Sequence, residues 1–134
     1  VFYIADAEMN LYFLSSDKTR HIQDIQSHNE VAVTIYQDVS DWQSIQGVQA
    51  TGHVSHVGED DKSSILNQYI SKYIFLKKLL NNPKDEQEEK IAQQFKTIGL
   101  FKLKPFYYRI IDNSIEFGYK QDITLIDGSW IKKN

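Results

Sequence analysis

The hydrophobic pattern of this 134-residue chain changes its period twice along the sequence. Up to Val57, apart from one short helix, apolar side chains occur in short runs that are typical of strands. From Asp60 to Ile98 they recur at three-and-four spacing, which is typical of amphipathic helices. Strand-like runs return from Phe106. The sequence therefore predicts an α+β protein, mainly β, in which a helical hairpin interrupts the sheet.

The early strands are predicted from β-branched and aromatic runs. Val1–Ala5 and Leu11–Ser15 flank a polar turn and predict a hairpin. Val31–Ile35 is apolar on both faces, which predicts a central strand. The long run Ile45–Val57 contains two glycines, Gly47 and Gly52, which predict bulges or bends of the kind that barrels use at corners.

The helices and the late strands are bounded by capping and turn residues. Asp17 is predicted to cap a helix through about Ser27 that Asn29 ends, and Asn82-Pro83 to begin the second helix of the hairpin, which Gly99 ends. The late strands are predicted, in chain order, at Phe106–Ile111, Ile115–Tyr119 and Ile123–Ile126, with turns at 112–114 and 127–128.

Composition limits the class of protein. The length suits one domain covering 1–134, and 41% hydrophobic residues are enough for it to fold. A net charge of −3 argues against a nucleic-acid partner. The absence of cysteine agrees with a cytoplasmic location, and no apolar run approaches the roughly 20 residues that span a bilayer, so no membrane partner is expected. The chain opens at Val1 directly in strand-like composition and without an initiator Met, which suggests that something upstream has been removed or is missing.

The segment Leu11–His21 carries the clearest chemical signal. A strand ends in hydroxyl residues, a tight turn follows, and Lys18 to His21 are predicted on the first helical turn. Free backbone N–H groups and the helix dipole favour an anion there, and Arg20 can grip two phosphate oxygens. The alternative is that Asp17 caps a helix whose basic residues face solvent.

Three blocks resemble, in order and spacing, the flavin mononucleotide (FMN)-binding split-barrel superfamily of pyridoxamine-phosphate oxidases. They read LYFLSSDKTRH, HNEVAVTIY and WQSIQGVQATGHVSHV, beginning at Leu11, His28 and Trp42. Within the superfamily the likeness is closest to a small, largely uncharacterised bacterial branch. It implies a split β-barrel with helical decoration, a homodimer, and FMN at the subunit interface. Proteins of this superfamily also have about two strands ahead of the position of Val1.

The resemblance also implies which residues hold the cofactor. Leu14 and Ser15 fall where the superfamily meets the flavin, and Thr19, Arg20 and His21 fall on its phosphate-binding triplet. Histidine in place of lysine weakens the charge at neutral pH and makes phosphate binding pH-sensitive.

The strand before the helices brings polar groups toward the partner subunit's flavin, which here implies Gln46 and Gln49. The implied function is a flavin-dependent oxidoreductase with an unidentified substrate. The chain lacks the Arg-x-His clamp of the oxidases proper, which argues against pyridoxamine phosphate as that substrate. Two alternatives stay open: a non-catalytic dimer that binds or senses flavin or heme, and a cofactor-free dimer of the same fold.

Competing sites are weak in the sequence. His53 and His56 are three apart on a predicted strand and point to opposite faces, so no metal site is expected. No serine has a visible histidine partner that would activate it as a nucleophile. The apolar stripe from Ile65 to Leu80 predicts core or dimer packing.

Overall fold

A computed structural model describes residues 2–133, and Val1 and Asn134 lie outside the described residues. The strands are β1 Tyr3–Ala5, β2 Leu11–Ser15, β3 Glu30–Tyr36, β4 Gln46–His56, β5 Gly99–Asp112, β6 Lys120–Ile126 and β7 Ser129–Lys133. The helices are α1 Arg20–Ser27, α2 Glu59–Lys72, α3 Ile74–Asn81 and α4 Glu86–Thr97, and a 3₁₀ turn covers Trp42–Ser44. The predicted α+β class is confirmed. No helix within residues 2–133 combines the length and the apolarity needed to cross a membrane.

The strands form a sheet with the hydrogen-bonding order β1-β2-β5-β4-β3, and β6 joins β5 and carries β7. The registers β1–β2, β2–β5, β3–β4, β5–β6 and β6–β7 are all antiparallel. β3 stands at one end of this order, so the predicted central position of that strand is wrong. Its three inward aliphatic side chains, from Val31 to Ile35, are only half-buried, as in an edge strand.

The described chain divides into two compact units. Unit 1 holds the chain up to Asn29 together with Val54–Leu103, and unit 2 holds Glu30–His53 together with the chain from Lys104 onward. All four helices belong to unit 1. Whether the chain acts as the predicted single domain stays a prediction.

The core of unit 1 is built from the first two strands, helix α2 and the start of β5. Its buried members are Ile4, Tyr12, Tyr69 and Leu100, and half-buried Leu14, Val57, Ile65, Leu66, Tyr73 and Leu76 pack against them. The helical stripe predicted for core or dimer packing therefore lies largely in the core of its own subunit. Burial of one such large side chain stabilises the fold by about 1.5–3 kcal/mol.

Helix α2 and the following Tyr73 also provide hydrogen bonds to the backbone of Phe2 and Tyr3. The Tyr73 hydroxyl accepts from the Tyr3 N–H at 3.0 Å and donates to the Tyr3 carbonyl at 2.5 Å. Lys72 Nζ donates to the same carbonyl at 2.9 Å, and the Tyr69 hydroxyl donates to the Phe2 carbonyl at 2.9 Å. Side chains thus occupy backbone groups that a neighbouring strand would otherwise pair.

In unit 2 the close packing lies between β4 and β5, where Gly52 has no room for a side chain. A Cβ at Gly52 would come within 2.4 Å of the Lys104 carbonyl oxygen and 2.6 Å of Pro105 Cα. At Gly47 it would meet the Tyr36 ring at 2.2 Å. The register from Glu30↔His53 to Tyr36↔Gly47 is unbroken, so these glycines allow close approach and do not form the predicted bulges against β3.

The predicted helical hairpin is in fact three helices. Tyr73 lies outside helical backbone geometry, with φ −108° and ψ 80°, and separates α2 from α3. Asn82, predicted to start the next helix, instead ends α3. α4 begins after Asp85, whose carboxylate accepts from the Glu88 N–H at 2.9 Å, because this Asp-x-x-Glu arrangement is the stronger cap. Gly99, the predicted helix stop, is the first residue of β5.

The strand predicted at Ile115–Tyr119 is also wrong. Asp112 accepts from the Ser114 N–H at 2.9 Å, and the Asn113 side chain accepts from the Gly118 N–H at 3.0 Å, which closes a turn. Gly118 has φ +77°, a left-handed conformation that glycine adopts readily. Local side-chain hydrogen bonds therefore outweigh the alternating apolar pattern. The turn predicted at Asp127-Gly128 is present, between β6 and β7.

Candidate functional site

The candidate site lies in unit 1, where β2 ends and α1 begins. Ser15 is the last residue of β2, and a tight turn follows in which the Thr19 N–H donates to the Ser16 carbonyl at 3.1 Å. The Ser16 hydroxyl accepts from the Lys18 N–H at 3.2 Å. A serine thus shapes the turn that brings the end of the strand next to the helix start.

Three predicted site residues come together here, and we call them the hydroxyl–imidazole cluster: Ser15, Thr19 and His21. Ser15 Oγ lies 2.9 Å from His21 Nε2 and 3.1 Å from Thr19 Oγ1, and the latter two atoms are 3.4 Å apart. Ser15 is 7% exposed, whereas the His21 side chain is exposed. The expectation that no serine has a histidine partner is therefore wrong.

The start of α1 differs from the sequence prediction in a way that favours anion binding. Thr19, not Asp17, is the N-cap residue, and it makes no side-chain cap because its hydroxyl donates to the Ser16 carbonyl at 2.9 Å. Lys18 and Thr19 thus precede the helix. The first turn has no acidic residue and no side-chain acceptor for its N–H groups, so it combines unpaired donors with the positive end of the helix dipole.

Arg20 does not point into the cluster in this structure. Its side chain is 94% exposed, and Nε lies 4.0 Å from the Asp24 carboxylate one turn along α1. An exposed ion pair of this length holds a side chain weakly. Arg20 is the first residue of α1, and its guanidinium would need a change of rotamer to bind a phosphate beside the cluster.

Leu14 and Ser15 have different environments although they are adjacent. Leu14 is half-buried and packs against the core of unit 1. Ser15 points to the opposite side, toward Thr19 and His21, because successive strand residues alternate in direction. The structure thus places Ser15 with the phosphate-site candidates and Leu14 with the core.

Gln46 and Gln49 belong to unit 2. Gln46 is exposed, and its Nε2 donates to both Asp112 carboxylate oxygens at 3.3 Å. Gln49 is half-buried and stands opposite Thr34 on β3. Since β4 is continuous and the two glutamines are three apart, they lie on opposite faces of the strand, so only one of them can face a given ligand.

A separate cavity of about 530 Å³ lies in unit 1. The charged side chains in its wall are Asp6, Glu8, Asp61 and Lys102, so its charge is negative overall. Burial by itself would raise the pKa of Asp6, but hydrogen bonds from Asn10, Tyr12 and Glu8 lower it, and the carboxylate stays ionised. An excess of carboxylates disfavours a phosphate, and none of the predicted cofactor residues lines this cavity.

Sequence reasoning missed an ion pair across β5 and β6 in unit 2. Arg109 and Asp122 are directly opposite in the register, and the guanidinium donates to both carboxylate oxygens at 2.8 and 3.0 Å. These hydrogen bonds lower the pKa of Asp122 to about 2. For Tyr107, burial together with the hydrogen bond to Asp122 raises the pKa. This bidentate ion pair connects β5 to β6, and no observation links it to a ligand.

The similarity of this chain to known proteins is found in its structure. No protein-family model and no curated protein sequence matches the chain. One similar structure is a pyridoxamine 5'-phosphate oxidase-related, FMN-binding protein from Nostoc punctiforme, with TM-score 0.59 and 12% identity over 98% of this chain and 75% of that one. Another is a heme-binding protein from Mycobacterium smegmatis, with TM-score 0.63 and 11% identity over 90% of this chain.

A third is a protein of unknown function from Agrobacterium tumefaciens, with TM-score 0.61 and 17% identity over 83% of this chain. The chain spans 44% of the mycobacterial protein and 42% of the Agrobacterium protein. Identities this low carry information about the fold only. The chain therefore has the split-barrel fold of the pyridoxamine-phosphate-oxidase-like proteins, as its sequence resemblance predicted.

Proposed function

We propose that this chain binds FMN and acts as a flavin-dependent oxidoreductase of the pyridoxamine-phosphate-oxidase-like type, in the cytoplasm and on a substrate that remains to be identified. The observation that carries the proposal is the hydroxyl–imidazole cluster beside the uncapped start of α1. The fold of this chain is also that of an FMN-binding protein of known structure.

The donors present fit the terminal phosphate of FMN. His21 supplies a side-chain donor, and Thr19 would supply a second one after its hydroxyl leaves the Ser16 carbonyl. The first N–H groups of α1 are further donors, because a helix start presents them to anions. Ser15, buried behind them, orients the imidazole through its 2.9 Å contact with Nε2. Arg20 would add a charged fork after leaving Asp24. When bound, FMN supplies two-electron chemistry, and these residues supply binding and position.

We propose that the functional form is a homodimer, with the cofactor at the subunit interface. Support comes from unit 2, whose large hydrophobic side chains are unusually exposed. Phe117 is 77% exposed, Ile115 60% and Trp42 52%. Trp42 and Phe117 pack edge to face with ring centroids 5.6 Å apart, so they form a fixed apolar patch. Patches of this kind mark interaction surfaces.

Light scattering at micromolar concentration tests the dimer, and we expect about twice the chain mass of 15.6 kDa. Phe117→Ser should shift the mass toward the monomer because it removes the most exposed apolar ring. Lys120→Ser, an exposed neighbour on β6, is the matched control and should leave the mass unchanged. A wild-type monomer at this concentration would rule out an obligate interface site.

Heme is the second candidate ligand, because a heme-binding protein shares this fold. The visible spectrum of the purified protein separates the two: bound flavin absorbs at about 450 nm and heme gives a Soret band. Titration of the apoprotein with FMN and with hemin, followed by fluorescence and absorbance, then ranks their affinities. Tight hemin binding together with failure to bind FMN would overturn the FMN assignment.

A further inference from the structure

The segment 62–84, which covers most of α2 and all of α3, has a charge opposite to that of the rest of the chain. Residues 62–84 contain five lysines and none of the 18 acidic residues. This segment carries +5, and since the whole chain carries −3, all other residues together carry −8. So strong a separation of charge within one small chain is a physical property that a partner can recognise.

Apolar side chains project from the same segment. Ile74 is 63% exposed and Phe75 52%, and Phe2, 57% exposed, lies against Phe75 with ring centroids 5.7 Å apart. Lys77 and Lys78 follow in α3, are exposed, and form no ion pair with any part of the chain from 2 to 133. We call this set, Phe2, Ile74, Phe75, Lys77 and Lys78, the lysine–aromatic surface.

The surface is fixed in place by the core beneath it. Leu76 packs into the core of unit 1, and Tyr73, which joins the two helices, holds Tyr3 through its hydroxyl. The acidic residues that begin α2 end at Asp61, eleven residues before Lys72, and a helix of that length spans about 16 Å. This exceeds the Debye length of about 8 Å at physiological salt, so the acidic start of α2 does not neutralise Lys72. Acidic residues also begin α4, from Asp85 to Glu89, and within residues 2–133 they form no ion pair with Lys77 or Lys78.

We infer that the lysine–aromatic surface docks this protein reversibly onto an anionic lipid bilayer. Lysines near such a bilayer are attracted to its surface charge, and neighbouring aromatic and aliphatic side chains insert into the headgroup region. The lack of a long apolar run disfavours a segment that spans a bilayer, and docking onto a bilayer surface needs no such segment. Anionic lipid is concentrated in the leaflet that faces the cytoplasm.

Two other occupants fit the surface less well. A second copy of the chain related by a two-fold axis would place this basic surface against the same basic surface, which is repulsive. A peptide ligand needs a groove for its anchoring side chains. Here the apolar side chains protrude, and the unit 1 cavity contains none of them.

Vesicle co-sedimentation of the full chain tests the inference. We expect binding to vesicles of phosphatidylcholine with roughly one-third phosphatidylserine, no binding to phosphatidylcholine alone, and release at about 1 M salt, where the Debye length falls to about 3 Å. Each lysine near the bilayer strengthens binding by roughly fivefold, so Lys77→Gln/Lys78→Gln should weaken it at least tenfold. Ile74→Ser/Phe75→Ser should weaken it as well, because the apolar anchors are lost.

Lys120→Gln/Lys132→Gln is the matched control, since it removes the same charge from exposed positions of unit 2 and should leave vesicle binding unchanged. Unchanged thermal unfolding of each variant shows that the fold is intact. The inference is overturned if the wild type ignores phosphatidylserine or if the control weakens binding equally. It is also overturned if a poly-glutamate peptide binds with the same dependence on Lys77 and Lys78 and vesicles do not.

Discussion

Unit 1 and unit 2 differ sharply in burial. Of the 12 buried hydrophobic residues in the described chain, 10 belong to unit 1, and only Ala50 and Tyr108 belong to unit 2. Of the 11 large hydrophobics that are exposed, seven belong to unit 2. Helices cover strands in unit 1, and unit 2 has no α-helix within the described residues.

This difference in burial indicates which unit stabilises the fold and which unit associates with other molecules. A sheet that no helix covers leaves apolar side chains in water, and association with another molecule is the usual way to bury them. We therefore expect unit 1 to dominate the free energy of unfolding of the isolated chain, and unit 2 to dominate its self-association. Four experiments examine this comparison.

The largest effect is expected at Tyr69, which is 3% exposed at the centre of the unit 1 core. Tyr69→Ala should lower the free energy of unfolding by about 3–5 kcal/mol, because it leaves a cavity and removes the donor to the Phe2 carbonyl. Urea denaturation measures the loss. Tyr36→Ala in unit 2, where the ring is 49% exposed, is the control and should cost less than about 1 kcal/mol. Equal losses would contradict the proposed division of stability.

The second experiment tests whether Arg20 of unit 1 holds the FMN phosphate. Arg20→Ala in unit 1 should weaken FMN binding by about 1.5–3 kcal/mol, since it removes a charge-assisted fork. Riboflavin, which has no phosphate, should lose much less affinity. Fluorescence titration of both ligands measures this, with Lys18→Ala as the matched basic control. If FMN affinity is unchanged in Arg20→Ala, the basic turn of α1 simply faces solvent.

The third experiment tests the tight packing that unit 2 does have. Gly52→Ala should destabilise the fold by about 1–3 kcal/mol, because the new methyl group meets the backbone of Lys104 and Pro105, which cannot yield as a side-chain tip can. Gly58→Ala in unit 1 is the matched control: a Cβ there has nothing within 4 Å, and we expect a loss below about 1 kcal/mol. A Gly52→Ala protein with unchanged thermal stability would show that the strands there can separate freely.

The smallest effect on stability is expected from the Arg109–Asp122 ion pair in unit 2. Because the folded pKa of Asp122 is about 2, below its ordinary 3.8, the ionised carboxylate stabilises the fold above about pH 4 and loses that effect as the pH falls toward 2. The stability difference between wild type and Asp122→Asn should thus be constant near neutral pH and shrink between pH 4 and 2. Asp38→Asn, an exposed control, should show no such trend.

The sequence predicted the parts of the fold that depend on hydrophobic period. The early hairpin, the long strand β4 and the helical interruption follow directly from it, because period decides which face of an element is buried. It failed where local hydrogen bonds compete with period. Ile115 and Phe117 alternate as in a strand, yet Asp112 and Asn113 close a turn around them.

At the candidate site, the sequence predicted the tight turn between β2 and α1 but assigned the wrong N-cap residue to α1. Asp17 is a good N-cap residue, but Ser16 organises the turn, and the helix begins after Thr19. The contact of Ser15 with His21 was missed because it joins a strand end to a helix start, six residues apart, where no fixed period applies. A serine ending a strand six residues before a histidine on a helix is a signal that could have suggested it.

The hydroxyl of Tyr73, which binds both backbone groups of Tyr3, also sets an order of events during synthesis. The two residues are 70 positions apart, and a ribosome adds about 5–20 residues per second. Roughly 4–14 seconds therefore pass between the emergence of Tyr3 and that of Tyr73. During that interval the backbone groups of Tyr3 lack the Tyr73 hydroxyl, so chaperone binding at β1 should be brief and should end when Tyr73 has left the exit tunnel.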